Sequence, residues 1–275
     1  MLAVALLTIK EVIRRRILLV TLILAVVFLT LYATGVHYGY RDMVAHAGPL
    51  KALMAAQFLA LGLYFGSFII AFLAVMAAVG AISGDIESGV ILAIVPRPVR
   101  RSEIILGKFM GYGLVLSAFA ILFYIAVLVI IRWNTGMSAP VRLGALGLFC
   151  LQPLVLLAVT LLGTTFLSTL ANGVASFMLY SVGFVGGMLE QIGHLAGSQV
   201  LIKIGIFSSL VMPVDAIYRK IVYNLLSAPG VSFSAYMMGP FGAGSEPSAW
   251  MLVYTGLYLL FFLTMAVRVF SRRDI

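Results

Sequence analysis

The chain has 275 residues, 63% of them hydrophobic and 10% charged, with a mean hydropathy of +1.15. A soluble domain carries about a quarter charged residues, so this composition excludes a soluble protein and describes an integral membrane one. The formal charge of +9 comes from basic residues beside apolar segments, where positive-inside topology accounts for them and nucleic acid is not an expected partner.

At the start of the chain, Leu2, Leu6, Ile9 and Ile13 recur at helical spacing, while Thr8, Lys10, Glu11, Arg14 and Arg15 fill the other side. Residues 1–16 are therefore expected to form an amphipathic helix at headgroup level, its basic side toward anionic lipid or a partner. Its apolar-then-basic order is the reverse of a cleavable signal, and none is expected.

Six segments then meet the roughly 20 apolar residues that a spanning helix needs: Ile17–Val36, Ala52–Ile82, Ile104–Ile131, Leu143–Leu167, Val174–Ile192 and Ala249–Val267. At helical rise the second is roughly 46 Å long and is expected to tilt or to project into water. A seventh apolar stretch, Val200–Val214, contains Lys203 and stops at Pro213. It is short for a span and reads as interfacial or re-entrant. Six spans with both termini in the cytoplasm place eleven of the eighteen basic residues on the inner side, the sense that the charge rule requires. The localisation that follows is a multi-pass protein of the cell (inner) membrane.

Between the second and third spans the chain reads GDIESGVILAIVPRPVRRSEIILGKF over residues 84–109. Ile86, Val90 and Ile94 repeat at helical spacing, which predicts a short surface helix over Glu87–Val95 after the long helix ends near Gly84 and Asp85. Asp85 and Glu87 stand at its start, where the helix dipole favours negative charge. Pro96 ends it and Pro-Arg-Pro fixes an extended turn. Ser102 is placed to N-cap the next helix, with Glu103 in its first turn. A loop that served only topology would need the arginines alone. The acids, cap and prolines argue for a rigid docking element carrying Arg97, Arg100 and Arg101 outward.

That segment resembles the cytoplasmic segment of permeases from the ATP-binding cassette (ABC) exporters of the "ABC two" type, also called type V or ABCG-like. The matching features are Glu87-Ser88-Gly89, an apolar helix, the Arg97-Pro98 turn, a basic-polar pair and Leu106-Gly107-Lys108-Phe109 opening the third span. The N-terminal Ile9–Arg16 and the C-terminal Phe270–Asp274 are similar to the family's usual beginnings and endings. The resemblance implies an all-α membrane fold with six transmembrane helices, an N-terminal connecting helix, and short re-entrant helices between helices five and six. The chain then forms one domain, residues 1–275, with the connecting helix at 1–16, a cytoplasmic coupling segment at 84–103 and an extracytoplasmic connection at 193–248. It also implies a second permease copy and two ATPase subunits, which would meet Asp85, Ile86, Glu87, Ser88, Gly89, Arg97, Pro98, Arg100, Arg101 and Ser102.

No phosphate-cradling loop with its Lys-Ser/Thr ending occurs in the chain, so no catalytic residue and no cofactor are assigned to it. ATP and Mg would be bound by the partner subunit, and an unidentified substrate would be exported. The alternative is a mechanical subunit that passes ATP-driven motion to an extracytoplasmic partner. Small-xxx-small pairs at Gly62/Gly66 and Gly183/Gly187 fall in the second and fifth spans, which line the path between protomers in the family, and are candidates for the permease dimer interface or pathway. Glu190 lies near the end of the fifth span, where it is expected to reach water. Asp215, just after Pro213, is placed to begin a short surface helix. A single cysteine, Cys150, excludes an internal disulfide, and no metal site is expected.

Overall fold

The computed structural model describes residues 1–14, 16–47, 51–87, 89, 101–137, 142–226 and 247–272. Among them every regular element is helical, as lipid demands of a chain whose backbone groups must be satisfied within each segment. In chain order the helices are α1 (Leu2–Arg14), α2 (Arg16–Ala47), α3 (Lys51–Ala78), α4 (Ser83–Glu87), α5 (Arg101–Thr135), α6 (Leu143–Gly163), α7 (Thr169–Ala196), α8 (Gln199–Val211), α9 (Val214–Leu226) and α10 (Ala249–Arg272). Six of them, α2, α3, α5, α6, α7 and α10, are long and apolar enough to cross a membrane. Of the predicted surface helix over Glu87–Val95, Glu87 (the last residue of α4) and Gly89 are described; its other residues and the Pro-Arg-Pro turn lie outside the described residues.

Both chain ends sit at one end of the bundle, the terminal face. The N-terminal amine lies 3.9 Å from the Glu103 carboxylate in α5. Arg101, at the start of α5, donates to the carbonyls of Phe270 and Ser271, each at 3.4 Å, at the end of α10. At the opposite face Trp133 and Trp250 are exposed, ending α5 and starting α10 as an aromatic belt would.

The centre of the bundle is α3, α5 and α6, whose inward faces carry Leu63, Leu73, Tyr112, Leu116, Tyr124, Phe149 and Leu157. Pro153 stands inside α6, a break that neighbouring helices make tolerable in a membrane. Next to it, Gln152 accepts from Ser67 of α3 at 2.9 Å and donates to the Val214 carbonyl at 3.2 Å. α2 and α10 flank this centre and leave broad apolar faces exposed, including Leu19, Leu22, Ile23, Leu257, Leu260 and Phe261.

α1 packs along the start of α5 by close backbone approach. A Cβ on Gly107 would stand 2.7 Å from the Val4 Cβ, and one on Gly111 would stand 2.8 Å from the Ala5 carbonyl. The buried face of α1 is Ala5, Thr8 and Val12. Thr8 is thus turned inward, against its expected polar placement, and its hydroxyl donates to the Val4 carbonyl at 2.9 Å. Leu2, Leu6, Leu7 and Ile13 are exposed, an apolar face available to lipid.

After α7 the chain reverses on Gly197, whose φ of +66° is left-handed, the conformation that glycine adopts at helix ends without strain. α8 returns against α7 and a bend of 106° leads into α9. The bent pair stands where a re-entrant segment is expected between spans five and six, and Pro213 lies at its bend. α9 is not a surface helix: Asp215, Ala216, Ile217, Tyr218, Arg219, Ile221, Val222 and Leu225 are buried, and Tyr218 donates to the Ala60 carbonyl of α3 at 2.8 Å. Its thirteen residues meet α3, α6, α7 and α8, so its periodicity records a protein face all round.

Candidate functional site

The second span is long, as expected, running Leu53–Glu87, and is interrupted near its terminal-face end by a turn. α3 stops at Ala78 and a turn leads into α4. Backbone groups freed by such a break need other partners when buried, and side chains around the α6–α7 turn supply them. The Thr164 hydroxyl oxygen accepts from the amides of Ile82 at 3.2 Å and Ser83 at 3.0 Å. Asn172 of α7 donates to the Val79 carbonyl at 2.9 Å. The break is a built joint.

α4 carries two of the segment's acids, Asp85 and Glu87. Asp85 pairs with Lys108 of α5, whose ammonium also donates to the Ala81 carbonyl. The carboxylate is 20% exposed and the lysine is buried. Glu87 reaches the first turn of α7, accepting from the Thr169 amide at 3.3 Å and from its hydroxyl at 3.2 Å. Ser168, the residue at the cap position of α7, makes no side-chain cap of its own. Glu87 therefore supplies from another element the anion that a helix N-terminus favours. Ser83 joins the same knot, with its hydroxyl 2.9 Å from that of Thr169.

Of the residues expected to meet a partner, Asp85 and Glu87 are thus engaged with the chain's own α5 and α7. Ile86 packs against the small apolar cluster of Ile82, Ile105, Ala266 and Phe270. Gly89 has φ +72°, a left-handed conformation that suits glycine, and its amide closes on the Ile86 carbonyl at 3.1 Å. Arg101 does not project outward, because its guanidinium is held on the last carbonyls of α10. Ser102 is not the cap of α5: the helix begins at Arg101 and Ser102 lies in its first turn. Ser88, Arg97, Pro98 and Arg100 lie outside the described residues.

The glycine pairs pack within the chain. Gly62, Gly66, Gly183 and Gly187 are buried within the single chain, so they offer no surface to a second copy. A Cβ on Gly62 would meet the Tyr32 ring of α2 at 2.6 Å, and one on Gly66 would overlap the Phe123 ring of α5. Gly183 and Gly187 admit Met212 and Asp215 of the bent pair. Spacing marked close approach correctly; it carried no information on which helix approaches. Glu190 is corrected. It is buried and paired with Arg219 of α9, because the bent pair folds over the end of α7 and removes the water expected there.

Sequence reasoning missed Lys108, Thr164, Thr169, Asn172 and Arg219. Lys108 carried a usable signal, as a cation in an apolar helix with an acid upstream is functional by default. Asp215 and Arg219 carried another, the i,i+4 spacing of a helical ion pair. The threonines and Asn172 carried none, since hydroxyl and amide side chains in membrane helices are commonly bonded to their own backbone.

The arrangement is a clamp. The segment that begins at α4 is tied through Asp85 to α5, through Glu87 and Ser83 to α7, and through Ile86 to α10. It holds no reacting group; what it can do is pass displacement of the segment to three spanning helices.

Comparison with known proteins identifies the family. The profile of the family described as "ABC-2 family transporter protein" matches residues 2–275. The chain is 28% identical over 224 residues to a protein of Stutzerimonas stutzeri named "Probable ABC transporter permease protein NosY", covering 75% of this chain and 77% of that one. A protein of the same name from Pseudomonas aeruginosa is 34% identical over 84 residues, 30% of each chain. With the family profile spanning the whole molecule and six spanning helices in the structure, this chain belongs to the ABC-2 family of transporter proteins and is a multi-pass membrane permease.

Proposed function

We propose that this chain is the membrane subunit of an ABC exporter, driven by ATP that two separate ATPase subunits hydrolyse with Mg. The terminal face is then cytoplasmic, and the ATPases dock on residues 84–103. The observation that carries this reading is the clamp: Asp85–Lys108 and Glu87–Thr169 join the start of the segment to α5 and α7. A push on the segment is thereby a push on two spanning helices. Because Asp85, Glu87 and Arg101 are engaged internally, contact with the ATPase falls to Ser88, Arg97, Pro98 and Arg100.

A second permease copy completes the assembly. With the glycine pairs buried, the exposed apolar row of α7, Leu170, Val174, Met178, Val182 and Val185, is the surface left for that copy, and α2 and α10 face lipid. The family's defining ATPase partner makes the chain itself non-catalytic.

The test is charge reversal at Arg97 and Arg100 in the complex with its ATPase, in membranes. The expected result is normal insertion with loss of ATPase co-purification. Recovery of the ATPase at the wild-type ratio in the double variant would overturn the docking assignment.

A further inference from the structure

A second charged cluster lies at the opposite face, where α7, α8 and α9 meet, and the transport reading makes no use of it. Asp215 and Arg219 are one turn apart on α9, with Oδ2 3.0 Å from Nε. Arg219 Nη1 meets Oε1 of Glu190 on α7, and Nη2 lies 3.4 Å from the Ser209 hydroxyl of α8. Glu190 is 5% exposed, Asp215 7% and Arg219 4%. Glu190 Oε2 accepts no hydrogen bond.

Two carboxylates therefore share one guanidinium in a dry site. If both were ionised the cluster would hold one uncompensated negative charge. Burying an unpaired charge is so costly that the group neutralises instead, and two carboxylates at one site do not both stay ionised. Among the described residues no second cation pairs with either acid. The other cationic side chains on the packed elements are engaged or turned elsewhere: His194 on α7 is half-exposed, Lys203 on α8 is exposed, Arg142 before α6 donates to the Asn224 carbonyl, and Lys220 on α9 donates to the Pro247 carbonyl at 3.2 Å. α3 and α7 present the phenols of Tyr64 and Tyr180, α9 presents that of Tyr218, and α6 presents the amide of Gln152. Tyr254 and Tyr258 of α10 donate to the carbonyls of Leu210 and Val211.

Space is equally restrictive. A Cβ on Gly187 would overlap the Asp215 carboxyl carbon, and one on Gly205 would overlap the Glu190 Cβ. Backbone closes on both acids. A cavity of about 10 Å³ beside Asp215, lined by Tyr64, Ser67, Gln152, Tyr180 and Tyr218, holds roughly one water and no hydrated ion.

We propose that Glu190 and Asp215 form a one-proton site. One of the two acids holds a proton, Arg219 neutralises the charge of the other, and the site is neutral while α9 is seated on α7. Separation of α9 from α7 admits water, ionises both acids and releases the proton.

The proposal is independent of the transport reading and is tested on the purified full-length chain in lipid nanodiscs. Infrared spectroscopy just below about pH 6, the value to which burial raises the Asp215 carboxyl, is expected to show a protonated-carboxyl band that shifts in deuterated water. Glu190→Gln and Asp215→Asn should each abolish it, since a single acid beside Arg219 is ionised; Asp85→Asn should leave it unchanged. A second readout is thermal unfolding against pH. The folded cluster binds a proton that the unfolded acids release, so wild-type stability should fall as pH rises through the cluster's titration, and each variant should lose that dependence. Absence of the band, or its survival in both variants, overturns the proposal. So does stability that follows sodium against an organic cation at fixed pH.

Discussion

The two ends of this bundle both use ion pairs to hold a short helix onto spanning ones, and they differ in access to water. At the terminal face, Asp85 is partly exposed and Glu87 is exposed, while Lys108 has the Ala81 carbonyl as a further partner. At the opposite face, Glu190, Asp215 and Arg219 are all buried, and the glycines of α7 and α8 admit them at backbone distance. A partly wet pair can be remade in another arrangement at small cost, because water replaces the lost partner. A dry cluster has no such substitute and is held or lost as a unit. The first suits a joint that moves in every cycle, the second a closure that opens fully or stays shut.

Arg219→Met gives the sharpest attack on this contrast. It strands two acids in a dry site, and breaking a buried pair costs about 3–5 kcal/mol. Thermal unfolding in detergent should show a larger loss than for any substitution at the terminal face. Equal losses for Arg219→Met and Lys108→Met would remove the contrast.

Gly187→Ala comes next. Its Cβ would overlap the Asp215 carboxyl carbon, and forcing methyl groups into a packed site costs about 1–3 kcal/mol. The same measurement should show an intermediate loss. A neutral result would mean that α9 shifts freely on α7.

At the terminal face, Asp85→Asn keeps the shape and removes the charge. Lys108 retains its carbonyl partner, so stability should fall less than in Arg219→Met, while ATP hydrolysis by the assembled complex should lose its dependence on the permease. Unchanged coupling would leave Asp85 a structural residue only. The smallest effect belongs to Glu87→Gln. Loss of an anion at a helix N-terminus is worth about 0.3–1 kcal/mol, so unfolding should barely move, and high salt should erase the difference.

Much of the architecture was legible in the chain. Apolar runs of spanning length located the six helices that are long and apolar enough to cross a membrane, and Pro213 marked the bend between α8 and α9. Boundaries moved where a side chain from elsewhere ends a helix: Thr164 and Asn172 allow α3 to break at Ala78, ahead of the expected Ile82. The site was legible in composition and misread in direction. The acids of residues 85 and 87 were recognised as unusual, yet their expected partners lay on another protein. In the structure those partners are Lys108 and Thr169, residues that local pattern describes as a topology signal and an ordinary hydroxyl.

What the sequence determined by itself is what depends on each segment alone: the class of protein, the number of crossings, the amphipathic start and the charged interruption. These follow from transfer between water and hydrocarbon, which acts on each segment separately. The tertiary structure decided which charges meet and which are dry. Lys108 and Glu190 have similar positions near the ends of their spans, and only the folding of α4 and of α8–α9 over them settles that neither reaches water. Burial of a charge depends on what covers it, and the covering elements lie tens of residues away along the chain.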